Sequence, residues 1–158
     1  MHSSVMAWVT EQVEAYDLAH RSTLELGSLN VNGSVRPLFT GPYIGIDMQA
    51  GQGVDRVMSA SALDYTDASF DVVVSTEMLE HDPAPWLTLA QAGRVLRTGG
   101  HLLLTMRGNG FAEHAHPSDY WRFMPCSAAL LTELAACDLI ESMVDPEAPG
   151  LFVHGVRR

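Results

Sequence analysis

Three groups of residues in this chain could do chemistry. Gly27 closes the run STLELG, and Asp47 closes YIGID about twenty residues later. A glycine at a strand end lets the backbone approach a ligand, because no Cβ intervenes. A carboxylate after the next strand can accept hydrogen bonds from both hydroxyls of a ribose. His81 follows the apolar run FDVVVST by a few residues. An imidazole there titrates near neutrality and can take a proton from a hydroxyl. The segment FAEHAHPSDYWRF then gathers His114, His116, Asp119, Tyr120, Trp121 and Arg122. Aromatic and charged side chains in one loop suit a polar ring such as a sugar. Each group has a plainer reading too. A glycine after a strand can be only a turn. His81 can cap a loop, and Trp121 and Phe123 can pin theirs to the core. Glu113, His114, His116 and Asp119 are ligand types for a divalent ion. Short histidine pairs in polar loops rarely bind one, so no metal is expected.

These groups meet only if several strands end on one side of a sheet. The sequence supports that arrangement. Residues Ser4 to Ala19 place Val5, Trp8, Val9, Val13 and Tyr16 near helical spacing. STLELGS, YIGIDM, DRVMSA, FDVVVST and HLLLTM read as strands. The β-branched FDVVVST fits a strand buried on both faces. Pro85 to Arg97 returns to helical spacing, with Pro85 suited to a first position and Gly99-Gly100 to a stop. Ser127 to Ala136 reads as a helix capped by Cys126 or Ser127. LIESMVD and LFVHGVR, joined by PEAPG, read as an antiparallel hairpin. Alternating strands and helices indicate an α/β fold with a mostly parallel sheet. The early connections are short for parallel crossovers, which need a dozen or more residues. One sheet face is therefore expected to be thinly covered, and a homodimer is the partner that would cover it.

The chain has 158 residues and is expected to form a single domain over residues 1–158. Its formal net charge of -10 repels phosphate backbones and anionic membrane surfaces, so neither nucleic acid nor membrane is an expected partner. No apolar run is long enough to cross a bilayer, and the N-terminus lacks the basic start of a signal peptide. The two cysteines, Cys126 and Cys137, show no zinc or disulfide pattern and are expected to be buried in one helix. A reduced, cytoplasmic setting follows as the default. Trp8 and Trp86 read as helix core.

The segments ELGSLNVNG, GIDM, DASFDVVVS, MLEH and RVLRTGG, in this order and separation, resemble the class I methyltransferases that use S-adenosylmethionine. The resemblance covers roughly Thr23 to Met106. HPSDYWRFMP also resembles a segment met in members associated with sugar or cell-surface glycan gene clusters. The resemblance implies a Rossmann-like, mostly parallel seven-stranded sheet with an antiparallel last strand, helices on both faces and trimmed connections. Carried over by position, Glu25, Gly27 and Ser28 would line the methionine part of the cofactor, with Asn30 and Asn32 in the rest of that loop. Asp47 would hold the ribose hydroxyls and Met48 would pack on the adenine. Ser59 and Ala60 would stand near the adenine amino group, where the family's usual acid is absent. Ser75 and Thr76 would face the cofactor's centre. Thr98 stands where the family usually has proline.

The expected function is therefore methyl transfer from S-adenosylmethionine to a small polar acceptor, a sugar or other hydroxylated metabolite, with O-methylation favoured. His81 and His116 are the candidate bases. His114, Asp119, Tyr120, Trp121 and Arg122 are the candidate acceptor-binding residues. Two alternatives accompany it. The altered first loop suits a non-catalytic partner domain of the same fold. A nicotinamide-dependent dehydrogenase would need a fuller glycine loop than ELGSLNVNG provides.

Overall fold

The computed structural model describes residues 2–114 and 118–158. Seven strands form one sheet in the order β3-β2-β1-β4-β5-β7-β6. They are β1 (Thr23–Leu26), β2 (Tyr43–Asp47), β3 (Arg56–Val57), β4 (Phe70–Thr76), β5 (Leu96–Arg107), β6 (Cys137–Val144) and β7 (Gly150–Arg157). β7 runs antiparallel to both of its neighbours, and the other pairings are parallel. The strand order reverses direction between β1 and β4, which opens a crevice at their carboxyl ends.

Alternation along the strands divides the core into two layers. Val72, Val74, Leu103 and Phe152 face α1 (Ser3–Ala15) and meet Val5, Trp8, Val9 and Val13. Val73, Leu102, Leu104 and Val153 face α2 (Pro85–Val95) and α3 (Ala128–Leu134). Each fully buried Val or Leu contributes about 1.5–3 kcal/mol by leaving water. On the α1 side, Val35 and Phe39 of the β1–β2 connection fill space beside the helix. That connection carries only a 3₁₀ turn at Arg36–Leu38, and no helix joins β2 to β3 or β3 to β4. The expected trimming is present, and loop side chains supply part of the missing cover.

Several boundaries differ from expectation. The first helix ends at Ala15 rather than Ala19, because Asp17 takes a left-handed conformation with φ 55°. The second helix ends at Val95, and β5 begins at Leu96. Gly99 and Gly100 therefore lie in the strand, beside a register shift between Phe70 and Val72. Gly99 has φ +77°, a bulge conformation that glycine enters without strain. The third helix is shorter than expected. Ser127 precedes it, but its hydroxyl donates back to the Met124 carbonyl instead of capping. The strand expected from DRVMSA shrinks to two exposed residues. Cys137 is buried at the start of β6, whereas Cys126 is exposed in a separate turn, so the two do not share a helix. Trp8 is core, but Trp86 is 47% exposed and meets Trp121 edge-on at 6.1 Å between ring centroids.

A polar chain ties α1 to the far strands. His101 Nδ1–H donates to His154 Nε2 at 2.9 Å, and His154 Nδ1–H donates to Gln12 Oε1 at 2.9 Å. Gln12 and Trp8 both donate to Glu141 Oε1. Each buried polar group along this chain has a partner.

Candidate active site

A cavity of about 450 Å³ opens at the carboxyl ends of β1, β2, β4 and β5. This is within the size range of small-molecule sites. Its first half is built on β1 and β2. β1 ends at Leu26 and the chain turns at Gly27, with φ +78°. The amides of Gly27 and Ser28 both donate to the Ile46 carbonyl, so the turn is tied to β2. Asp47 accepts from the Leu29 amide at 3.3 Å and from the Gln49 amide at 2.9 Å. The carboxylate is thereby held at the cavity wall. Glu25 lies deeper, 2% exposed, and accepts from the Tyr43 hydroxyl at 2.8 Å. Burial raises its pKa to about 7, although the Tyr43 hydrogen bond pulls the other way. Met48, Met58, Ser59 and Ala60 continue this wall.

The second half is built on β4, β5 and the loops after them. Thr76, Glu77, His81, Asp82, Arg107, Phe111 and His114 line it. Glu77 takes a left-handed conformation, φ 54°, directly after β4. Such strain in a residue with a side chain costs on the order of 1 kcal/mol and gathers at functional sites. Glu77 ion-pairs with Arg107, which also reaches Asp145 at 3.4 Å and lies 4.3 Å from the Phe111 ring centroid. Burial, then the Glu80 charge, raises the Glu77 pKa to about 7. Arg107 is thus neutralised by its own neighbours.

His81 ends a 3₁₀ turn, and its Nδ1–H donates to the Ser118 carbonyl at 2.7 Å. The His81 and His114 rings stand 4.7 Å apart, edge to face. The His114 pKa is lowered, chiefly by burial.

The structure sorts the expected residues. Glu25, Gly27, Ser28, Asp47, Met48, Ser59, Ala60 and Thr76 all line the cavity, as do His81 and His114. Asn30 does not line it. Its Oδ1 accepts from the Gly33 amide at 2.9 Å and closes a turn. Ser75 does not line it either. Strand alternation sends its side chain to the opposite face from Thr76, where it is fully buried. Asp119 and Arg122 pair with each other instead of lining the cavity, through two contacts at 2.5 Å. Arg122 also donates to the Phe111 and Ala112 carbonyls, so the pair staples the loop. These bonds hold the Asp119 pKa well below the carboxylate range. Tyr120 and Trp121 are exposed, and their amides donate to the Glu80 carbonyl. His116 lies outside the described residues.

Sequence reasoning missed Glu77, Arg107, Phe111 and Met58. Glu77 and Arg107 sit at the carboxyl ends of β4 and β5, and the switch-point rule could have found both. Phe111 and Met58 come from loops without a pattern.

The residues fit an S-adenosyl cofactor. The Gly27 turn, the Asp47 carboxylate, Met48 and Met58 all line one cavity of about 450 Å³. The family model described as "Methyltransferase domain" matches residues 40–104. This stretch, under half of the chain, is thus similar to methyltransferase domains. The chain is 52% identical over 54 residues to 27-O-demethylrifamycin SV methyltransferase of Amycolatopsis mediterranei, 32% of this chain and 20% of that one. The chain thus spans about a fifth of the length of that curated relative. Its fold is similar to that of 1,6-didemethyltoxoflavin-N1-methyltransferase of Burkholderia thailandensis, solved with S-adenosylhomocysteine. The TM-score is 0.78 at 18% identity, over 97% of this chain and 78% of that one. It is also similar to the YcgJ protein of a Bacillus, with a TM-score of 0.76 at 14% identity over 99% of each chain. No described helix is long and apolar enough to cross a membrane.

Proposed function

We propose that this methyltransferase domain, residues 1–158, moves the methyl group of S-adenosylmethionine to oxygen on a small polar acceptor, a sugar or other hydroxylated metabolite. The carrying observation is a single cavity with the glycine turn and Asp47 at one end and His81 and His114 at the other. The cofactor, when bound, supplies an electrophilic methyl on a sulfonium. Asp47 accepts from the ribose hydroxyls, and Gly27 and Ser28 lie against the methionine part. Glu77, Phe111 and His114 shape the acceptor half. Transfer needs the acceptor atom held in line, and positioning supplies a large part of the rate. In the metal-free chain, His81 Nε2 takes the acceptor's proton, because Nδ1 is committed to Ser118. The similarity to an enzyme named for an O-demethylated antibiotic supports an oxygen acceptor.

The acidic chain, with a net charge of -10, fits a cytoplasmic enzyme that binds neither nucleic acid nor membrane. A homodimer would cover the exposed apolar residues Ile140, Met143 and Val144 of the edge strand β6.

Calorimetric titration with S-adenosylmethionine, S-adenosylhomocysteine and NAD tests the reading. Both S-adenosyl ligands should bind and NAD should not. Binding of NAD alone would favour a dehydrogenase, and binding of none would favour a non-catalytic partner domain.

A further inference from the structure

Glu80 is fully buried, and neither of its carboxylate oxygens has a hydrogen-bond partner. A carboxyl left so is costly unless something positive or donating meets it. Its own amide and that of Arg107 are near, but not in hydrogen-bonding geometry. The Arg107 charge acts on Glu80 from nearby, but that guanidinium is already paired with Glu77 and Asp145, and a pair of imidazoles stands beside the carboxyl. One ligand atom each from Glu80, His81 and His114 lie within 4.8 Å of one another. A metal about 2.1 Å from each ligand atom would draw these atoms together by roughly 1 Å, a movement open to side chains carried on a turn and a loop.

The surroundings of His81 match those of a metal ligand, and those of His114 approach them. Metal-bound histidines usually give their second nitrogen to a carbonyl or carboxylate, which fixes the ring. His81 gives Nδ1–H to the Ser118 carbonyl at 2.7 Å. His114 Nδ1 stands 3.1 Å from the Asp119 carboxylate, which Arg122 holds ionised, but not in hydrogen-bonding geometry, so a small ring rotation would complete that bond. The three ligand residues come from the turn after β4 and the loop after β5, and Asp119 and Ser118 lock that loop against the turn.

We propose that Glu80, His81 and His114 bind a divalent first-row transition cation at the acceptor end of the cavity. Two imidazoles and one carboxylate suit zinc, iron, cobalt or manganese rather than magnesium or calcium. His81 and His114 line the cavity, so the open positions of the cation face it. A hydroxyl or carbonyl oxygen of the acceptor is the ligand class for those positions. The role of the cation in holding an acceptor rests on the methyltransferase reading, but its binding does not. In the loaded chain His81 would be a ligand, and an acceptor hydroxyl acidified by the cation would lose its proton to water instead of to His81.

The test is titration of tag-free, chelator-treated protein with Zn²⁺ by calorimetry and with Co²⁺ by visible absorption. One equivalent should bind, with cobalt bands showing nitrogen ligation. Glu80→Gln keeps the size of the side chain and His114→Ala removes one imidazole. Each should weaken binding by at least about tenfold. Asp119→Asn should weaken it less. Affinity for S-adenosylhomocysteine, measured in parallel, should be unchanged in Glu80→Gln. Absence of bound metal, or equal metal affinity in Glu80→Gln and the parent, overturns the proposal. Loss of S-adenosylhomocysteine binding by the parent would instead count against the cofactor reading and leave the metal result standing.

Discussion

Met78 occupies the space that a side chain at Gly27 would need. A Cβ built there would lie 2.7 Å from Met78 Cβ, and the Met78 Cγ is nearer still. Gly27 also has φ +78°, which disfavours any L side chain. The glycine is thus demanded by the turn and by a neighbouring side chain, before any ligand arrives. Gly27→Ala should cost about 1–3 kcal/mol of stability in denaturant unfolding. Adding Met78→Ala should recover only the part due to Cγ, because its Cβ remains 2.7 Å away. A double variant no more stable than Gly27→Ala would assign the effect to φ and the Cβ contact, and none of it to Cγ.

Much of the fold was legible because apolar runs and turn residues mark it directly. FDVVVST matched β4 to the residue, and Pro85 opened α2 as expected. The failures came where tertiary pairing overrides local signals. The Gly99-Gly100 pair looks like a helix stop, but pairing of Leu96 with Phe70 of β4 draws it into a strand first. The site was half legible. Gly27 and Asp47 stand out by spacing, whereas Asp119 and Arg122 look like ligand-binding residues in sequence and turn out to bind each other. No pattern in a single sequence separates a charged pair in a loop from two charges facing a ligand.

Asp47 carries two amides as well as the expected ribose contact. Asp47→Ala should therefore weaken S-adenosylhomocysteine by roughly 10–100-fold, the worth of hydrogen bonds to a charged group. Asp47→Asn should fall between the parent and the alanine variant. Equal affinity in all three, by calorimetry, would remove Asp47 from the cofactor site.

The Asp119–Arg122 pair is assigned to loop structure. Asp119 has a side chain only 2% exposed. Removing one partner leaves the other charge unpaired, which costs on the order of 3 kcal/mol for a buried pair. Asp119→Ala should lower the unfolding midpoint clearly while S-adenosylhomocysteine still binds. A variant of unchanged stability would show that the pair does not staple the loop.

His154 gives a pH signature far from the site. It is fully buried between His101 and Gln12, and burial, then the His101 charge, lowers its pKa to about 4 from an ordinary 6.5. The neutral ring fits the network, with Nδ1–H donating to Gln12 and Nε2 accepting from His101. The unfolded chain binds the proton more readily between these two values. The contribution of His154 is therefore complete above pH about 6.5 and is lost as pH falls toward about 4. The loss amounts to about 3 kcal/mol. Raised carboxyl pKa values such as that of Glu25 act in the opposite direction over the same range, so the total curve is not diagnostic. The difference between the parent and His154→Gln is. Urea unfolding at pH 7 should favour the parent, and that advantage should shrink steadily toward pH 4. Two curves that stay parallel would mean that His154 does not stay neutral in the folded chain.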